Sequence, residues 1–89
     1  MAYKVLITRA AERDLKRPIP SKYKQEIDRV ILSLGSDPRP PGSKKLRGLA
    51  ALYRLAVGDY RVIYSVSDKA REGVVEKVGD RKEVYRYLR

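Results

Sequence analysis

Residues 52–67 read Leu-Tyr-Arg-Leu-Ala-Val-Gly-Asp-Tyr-Arg-Val-Ile-Tyr-Ser-Val-Ser, and this stretch decides the fold. Its two halves, residues 52–57 and 60–67, are rich in β-branched and aromatic side chains, which is typical of β-strands. Gly58-Asp59 lies between them, and a glycine at the first of two turn positions favours a tight hairpin turn. The stretch therefore predicts a β-hairpin of two adjacent antiparallel strands.

The flanking sequence supplies the other elements. Residues 3–8 read as a strand, and Thr8 is placed to cap a first helix at about residues 9–17. A second helix begins near Pro20 or Ser21, and its apolar positions keep the spacing of one buried helix face: Tyr23, Ile27, Val30, Ile31 and Leu34. After the hairpin, residues 73–78 read as a third strand and residues 80–88 as a short terminal helix.

These elements predict one domain, residues 1–89, of the α+β class. The expected order is β-α-α-β-β-β, an antiparallel sheet with two helices packed on one face and a short C-terminal helix. A chain this short has a small core and no room for a deep cavity. We therefore expect a functional site on an open face or in a shallow groove.

The chain is strongly basic, with 21 Lys and Arg residues against 11 Asp and Glu and a formal charge of +10. No acidic residue lies between Asp37 and Asp59, where the sequence carries five cations: Arg39, Lys44, Lys45, Arg47 and Arg54. Unpaired positive charge on this scale destabilises a compact fold by self-repulsion, so it indicates a phosphate-rich partner.

Three of these cations, Lys44, Lys45 and Arg47, form a patch in a predicted loop. Two interpretations are open. A run of charge is by default a solvated surface, but it would also suit contacts to the backbone of a nucleic acid without sequence readout.

The residue types that are missing exclude several kinds of chemistry. The chain has no Cys and no His, which rules out disulfides, thiolate nucleophiles and the commonest general base. The carboxylates show no spacing suited to a metal site, so we expect neither a metal nor a cofactor. The N-terminal apolar run is too short for a signal peptide or a membrane span, which predicts a cytoplasmic protein.

Strand alternation assigns two faces to the hairpin. Arg54 and Arg61 fall on the face opposite to the apolar residues, on adjacent strands. Arg61 has two interpretations. It is either a surface arginine, with Glu76 as its candidate partner, or a phosphate clamp, because guanidinium holds phosphate with two parallel hydrogen bonds. A lone strand arginine such as Arg54 is common and need not be functional.

The C-terminal residues Arg81 and Tyr85 are further candidates. Gly79 lets the chain turn so that Arg81 reaches over the sheet edge. The alternative for Arg81 is a turn residue paired with Asp80 or Glu83. Tyr85 either pins the terminal helix to the sheet or stacks on a base.

The ordered set of motifs resembles the RelE/ParE toxin superfamily of type II toxin–antitoxin modules. The resemblance covers nearly the whole chain and, beyond the hairpin, rests on these segments: Ala-Ala-Glu-Arg-Asp-Leu at residues 10–15, Asp37–Gly42, Lys45–Gly48 and Val78–Tyr85. It implies a compact fold like that of microbial ribonucleases. In the RelE branch, such proteins cleave mRNA on the ribosome without a metal, by attack of a 2′-hydroxyl group on the adjacent phosphodiester.

The resemblance also implies roles for single residues. Arg61 matches the arginine that holds the scissile phosphate, and Arg81 the one that stabilises the transition state. Tyr85 matches a tyrosine that stacks on the substrate, and Arg54 a basic residue of the catalytic group. Ala56 stands where a lysine of that group is expected, so the identity of the general base is open.

Three functions remain as hypotheses. The first is a ribosome-dependent mRNA endoribonuclease, with the ribosome and mRNA as partners. The second is a ParE-like inhibitor of DNA gyrase without nuclease activity, and the third is a non-catalytic RNA-binding module. The resemblance further implies a cognate acidic antitoxin, similar to RelB, that wraps the basic face.

Overall fold

The computed structural model describes residues 2–46 and 52–88. Their elements, in chain order, are β1 (Lys4–Ile7), α1 (Arg9–Leu15), α2 (Ser21–Ser33), β2 (Lys44–Lys45), β3 (Leu52–Val57), β4 (Tyr60–Ser67), β5 (Glu72–Asp80) and α3 (Arg81–Tyr87). The expected α+β class and the order of the predicted elements are confirmed. None of the helices in these two segments is long and apolar enough to cross a membrane.

The described strands form a five-stranded sheet in the order β1-β5-β4-β3-β2. Strands β2 to β5 pair antiparallel, as predicted for a meander. β1 pairs parallel to β5, from Lys4 opposite Glu72 to Ile7 opposite Val75, so the expectation of a wholly antiparallel sheet is wrong at this edge. No hairpin turn joins β1 to β5, and the long intervening chain allows a parallel arrangement.

The hairpin has the predicted bounds and the predicted turn. Gly58 has φ +59, and Asp59 does not have positive φ, which corresponds to a type II′ turn. The turn also requires glycine for space, because a Cβ on Gly58 would lie 2.3 Å from the Tyr23 ring. Tyr23 belongs to α2, so the same glycine lets α2 approach the end of the hairpin.

Helices α1 and α2 pack on one face of the sheet. The Thr8 side chain accepts a hydrogen bond from the Ala11 backbone and caps α1, as predicted. Ile27 and Ile31 of α2 are buried, as their spacing predicted. Together with Ala11 they pack on the inward side chains of β3, β4 and β5: Leu55, Val57, Val62, Tyr64, Val66, Val75 and Val78.

A β-bulge in β5 determines which side chains reach the other face. Tyr64 lies opposite Val75, but the preceding Ile63 lies opposite Lys77, so Glu76 is an extra residue on β5. Strict alternation from Val75 would have sent Lys77 into the core. The bulge instead places Val78 in the core and turns Lys77 away from it.

Helix α3 lies on the face opposite to α1 and α2. Gly79 is opposite Arg61 in the ladder and shares its face, and a Cβ on Gly79 would lie 2.8 Å from Oε1 of Glu83 on α3. Ile63 and Val84 are almost completely buried, yet neither belongs to the main core cluster. The terminal helix therefore covers part of the face that sequence alternation had left open.

Candidate nucleic-acid interface

Cationic side chains lie in neighbouring positions on the α3 side of the sheet. We call this surface the basic face and define it by Lys44, Arg54, Arg61 and Lys77 of the strands together with Arg81 of α3. Across the strands, Lys44 lies opposite Arg54, Arg54 opposite Ile63, and Ile63 opposite Lys77. Arg61 lies in the adjacent row, opposite Ala56. Arg54 and Arg61 are thus diagonal neighbours on one face, as predicted.

Arg61 is held by backbone oxygens rather than by a carboxylate. Its Nη1 donates to the carbonyl of Gly58 at 2.9 Å and to that of Tyr60 at 3.0 Å. The acidic partner considered for it, Glu76, instead accepts a hydrogen bond from Ser65. Among the described residues Arg61 has no salt bridge, so its charge is available to an anionic ligand.

Arg81 is exposed and approaches the same turn. Its backbone N–H donates to the carbonyl of Asp59 at 2.9 Å. Neither acidic partner considered for it is used, since Asp80 caps α3 by accepting from the Glu83 backbone and the Glu83 side chain pairs with Arg17. The guanidinium of Arg61 and the backbone of Arg81 therefore both bind the Gly58-Asp59 turn.

Tyr85 lies one helical turn after Arg81, on the same side of α3. Its side chain is 60% exposed, so it does not pin the helix to the sheet. Tyr87 is also exposed, and the Nζ atom of Lys77 lies 5.9 Å from the centre of its ring. The exposed ring of Tyr85, beside an arginine, is suited to stacking on a nucleobase.

The predicted lysine patch is not a single surface. Lys44 and Lys45 form the short strand β2 rather than a loop, so their side chains point to opposite faces. Lys44 lies opposite Arg54 on the basic face, whereas Lys45 lies opposite Tyr53 on the core side. Arg47, the third member of the predicted patch, lies outside the described residues.

Arg39 was counted among the unpaired cations, and the structure corrects this. Its guanidinium forms two hydrogen bonds to the Asp68 carboxylate, at 2.9 and 3.1 Å, and a third to the Tyr53 hydroxyl at 2.9 Å. Arg39 holds the pKa of Asp68 below its usual range. Tyr3 donates to the same carboxylate, which raises the pKa of Tyr3. Arg39 therefore ties a loop to the sheet and contributes no free charge.

Sequence reasoning missed the charged residues that surround the base of α3. Asp14, at the end of α1, is 7% exposed, and its Oδ2 accepts a hydrogen bond from the Val78 backbone at 3.0 Å. Lys77 lies 3.4 Å from Asp14 and 3.6 Å from Glu83. Arg17 pairs with Glu83, which lowers the pKa of Glu83. The only sequence signal for this cluster is Gly79, which leaves room for the Glu83 carboxylate.

The described part of the chain contains no group of three or more side chains that would hold a metal ion. The basic face instead provides several neighbouring cations, of which Arg61 is held by backbone oxygens, beside an exposed aromatic ring. Such a surface has the chemistry suited to a flexible polyanion such as single-stranded RNA.

The fold and the basic face are those of a small basic toxin from a type II toxin–antitoxin module, and comparison with known proteins gives the family. Residues 5–85 match the family model described as ParE toxin of type II toxin-antitoxin system, parDE. The chain therefore belongs to this toxin family, within the RelE/ParE superfamily, as the sequence resemblance predicted.

Comparisons with individual proteins support the assignment to this family. The chain is 29% identical to Toxin RelG from Mycobacterium tuberculosis over 86 residues, which cover 97% of this chain and 99% of the relative. It is 31% identical to a chain of the archaeal RelE-RelB complex from Pyrococcus horikoshii, with a TM-score of 0.78 and coverage of 91% and 97%. A mutant of E. coli toxin RelE in the free state, 23% identical with a TM-score of 0.80, covers 99% of this chain and 93% of its own and supports the fold alone.

Proposed function

We propose that this toxin is a ribosome-dependent mRNA endoribonuclease that acts in the cytoplasm and inhibits translation. The observation that carries the proposal is that the Arg61 guanidinium and the Arg81 backbone N–H both bind the Gly58-Asp59 turn, with exposed Tyr85 one helical turn after Arg81. Neither arginine has a carboxylate partner among the described residues, which is the condition for binding a phosphate.

The proposed reaction uses the hydroxyl group of the substrate. The 2′-oxygen loses its proton and attacks the adjacent phosphorus, a 2′,3′-cyclic phosphate forms, and the bond to the 5′-oxygen breaks. The leaving oxygen then takes up a proton. Negative charge grows on the non-bridging oxygens during attack, and the guanidinium groups of Arg61 and Arg81 offset it. Removing one such donor typically costs about 10²–10³-fold in rate.

The other candidates have supporting roles in this scheme. Arg54 and Lys44 continue the basic face away from Arg61, which suits contacts to neighbouring phosphates of the same strand. Tyr85 stacks on a base next to the scissile bond and so orients the 2′-oxygen for attack in line.

Ala56 limits the rate of cleavage that the protein can reach without the ribosome. It lies opposite Arg61, at the position where the family resemblance leads us to expect a lysine. Without that amine the site has fewer groups that can accept the proton of the 2′-hydroxyl. Positioning of the mRNA by the ribosome supplies the remaining rate enhancement, because correct orientation alone is worth several kcal/mol, about 7–11 in well-oriented model reactions. Free RNA should accordingly be a poor substrate.

An acidic antitoxin is the second proposed partner. Several solved relatives are complexes of RelE with RelB, including the archaeal one from Pyrococcus horikoshii. The charge of +10 on this chain favours a partner of opposite charge, since complementary potentials speed association and exclude wrong partners. Binding of such a chain over the basic face would block access of RNA to Arg61 and Arg81.

Inhibition of DNA gyrase is the alternative function. Two observations favour it: the matching family model is that of the ParE toxin, and Ala56 departs from the nuclease pattern. In this case the basic face would hold a protein and would cut nothing. A non-catalytic RNA-binding module is the third outcome, in which RNA binds but stays intact.

One experiment separates these outcomes. Purified toxin is incubated with ribosomes carrying a defined mRNA, with the same mRNA alone, and with gyrase and relaxed plasmid. The proposal expects cuts in the mRNA only when ribosomes are present, with supercoiling unaffected. Intact mRNA together with loss of supercoiling would establish the gyrase alternative, and intact mRNA that binds the toxin would establish the third.

A further inference from the structure

We propose that Glu83, held by Arg17 and Lys77, is a positioning residue that fixes α3 on the sheet and thereby sets where Arg81 and Tyr85 stand. The inference deepens the proposed function and rests on it. It assigns a role to a group of four charged residues, Asp14, Arg17, Lys77 and Glu83, which we call the charge cluster.

Helix α3 needs an external support. It has seven residues, whereas an isolated helix shorter than about 12–15 residues is marginal in water. Within α3, Val84 is the buried residue, so apolar packing alone provides little stabilisation. Arg81 and Tyr85 both project from this helix. Any movement of α3 relative to the sheet therefore changes their distance from Arg61, which is fixed on β4.

The charge cluster provides the support. Glu83 pairs with Arg17, which follows α1, and lies 3.6 Å from the Nζ atom of Lys77 on β5. The end of α1 thus meets β5 and α3, which are distant from it in sequence, at one carboxylate. Its pKa is lowered, chiefly by the hydrogen bond from Arg17, so the carboxylate is charged at neutral pH.

Asp14 holds the two cations in place. One of its oxygens accepts from the Val78 backbone, on the edge of β5 beyond the end of its pairing with β1. The other lies 3.4 Å from Lys77 and 3.8 Å from Arg17. The cluster contains two acids and two bases and leaves no buried side-chain polar atom unsatisfied among the described residues. It therefore balances charge and links the end of α1, β5 and α3 through several contacts rather than through one surface pair.

Gly79 makes the contact sterically possible. A side chain at this position would meet Glu83, with a Cβ only 2.8 Å from Oε1 and 3.2 Å from Cδ. Gly79 is also the residue opposite Arg61. The Glu83 carboxylate consequently lies above the strand position next to the phosphate-binding arginine. This ties the placement of α3 directly to the site.

A positioning role makes a specific kinetic prediction. Lys44, Arg54 and Arg61 lie on strands and would still bind the mRNA if α3 loosened. Loss of Glu83 should therefore lower kcat and leave KM for the ribosome–mRNA complex nearly unchanged, because the interaction lost is one made in the transition state. A loss of global stability would lower the apparent kcat in the same way, by reducing the folded fraction, but it would speed hydrogen exchange throughout the chain rather than in α3 alone.

The test uses Glu83→Gln, Arg17→Gln and the double variant in the full-length toxin. Glu26→Gln is the matched control, because Glu26 pairs with Arg29 on the surface of α2 and its loss changes the net charge equally. Hydrogen exchange of residues 81–88 reports on α3, and cleavage of ribosome-bound mRNA reports on the site. Arg17 is largely exposed, so Arg17→Gln remains informative if Glu83→Gln folds poorly.

We expect about tenfold faster exchange in residues 81–88 for each single variant and about a tenfold fall in kcat. The effect of the double variant should be smaller than the sum of the two single effects, because the contact between Arg17 and Glu83 is lost in all three. The inference is overturned if exchange stays within about twofold of the Glu26→Gln control, or if kcat falls without a change in exchange. A wild-type toxin that cuts no mRNA would refute the proposed function, while the exchange data would still decide the role of Glu83.

Discussion

Lys44 lies directly opposite Arg54 in the ladder between β2 and β3, whereas the adjacent Lys45 lies opposite Tyr53. Because side chains alternate along a strand, these two exposed lysines point to opposite faces of the sheet. They carry the same charge at neighbouring positions. The pair therefore distinguishes the effect of the basic face from the effect of net charge.

The first prediction uses this pair to locate bound RNA. Lys44→Ala should weaken binding of single-stranded RNA and reduce the slope of log K against log salt concentration by roughly one, because one phosphate contact is lost. Lys45→Ala should change both quantities much less. Fluorescence anisotropy at several salt concentrations measures the effect. Equal losses in the two variants would show that binding follows net charge rather than one face.

The second prediction concerns the room that Gly79 leaves for Glu83. Gly79→Ala should displace the flexible Glu83 carboxylate from Arg17 and speed hydrogen exchange in α3, with global stability changed by no more than about 1 kcal/mol. Gly73→Ala, on the same strand, is the control, because its Cβ would meet nothing closer than 3.9 Å. Hydrogen exchange detected by mass spectrometry is the measurement. Unchanged α3 exchange in Gly79→Ala would count against the role of the charge cluster.

Much of the fold follows from local sequence. The bounds of β3 and β4 are determined by composition and by the Gly58-Asp59 turn, and the buried residues of α2 by helical spacing. These features depend on neighbours within a few positions. The placement of Arg54 and Arg61 on one face follows from the same local rule.

The remaining features depend on tertiary contacts, which the alternation of side chains along a strand does not predict. The bulge at Glu76 shifts the register of β5, so alternation places Lys77 in the core although it lies on the basic face. The pairing of Arg39 with Asp68 joins residues 29 positions apart. The position of α3 depends on Asp14 and Arg17, which belong to a distant helix end. Tertiary contacts of this kind leave only indirect traces in sequence, such as Gly79.

The third prediction uses the pKa of Asp68. Arg39 lowers the pKa of this carboxyl in the folded protein, so its stabilising effect is present above the unfolded pKa and is lost as the pH falls through the folded value. Asp68→Asn should therefore lose less stability than wild type between pH 7 and about pH 3. Urea midpoints at both pH values provide the measurement.

Asp28→Asn is the control for this prediction, because Asp28 forms an exposed pair with Lys24 on α2. This variant makes the same change of net charge and leaves the contacts of Arg39 with Asp68 intact. If Asp68→Asn and wild type lose the same stability on acidification, the pair with Arg39 does not contribute in solution.

The fourth prediction concerns the position opposite Arg61. Ala56 is exposed, so a longer side chain fits there without entering the core. Ala56→Lys should raise the rate of mRNA cleavage, toward the roughly 10²–10⁴-fold that a positioned general base contributes. Ala56→Met, of similar length without the amine, is the control. Equal rates for Lys and Met would show that the amine at this position is not what the chemistry lacks.

The central claim is that Arg61 and Arg81 jointly stabilise the phosphate during cleavage, and single-turnover cleavage of ribosome-bound mRNA tests it most directly. Arg61→Ala and Arg81→Ala should each slow the reaction by about 10²–10³-fold. Arg29→Ala should not, because Arg29 lies on the exposed surface of α2, paired with Glu26. Cleavage by Arg61→Ala and Arg81→Ala at the rate of Arg29→Ala would contradict the account.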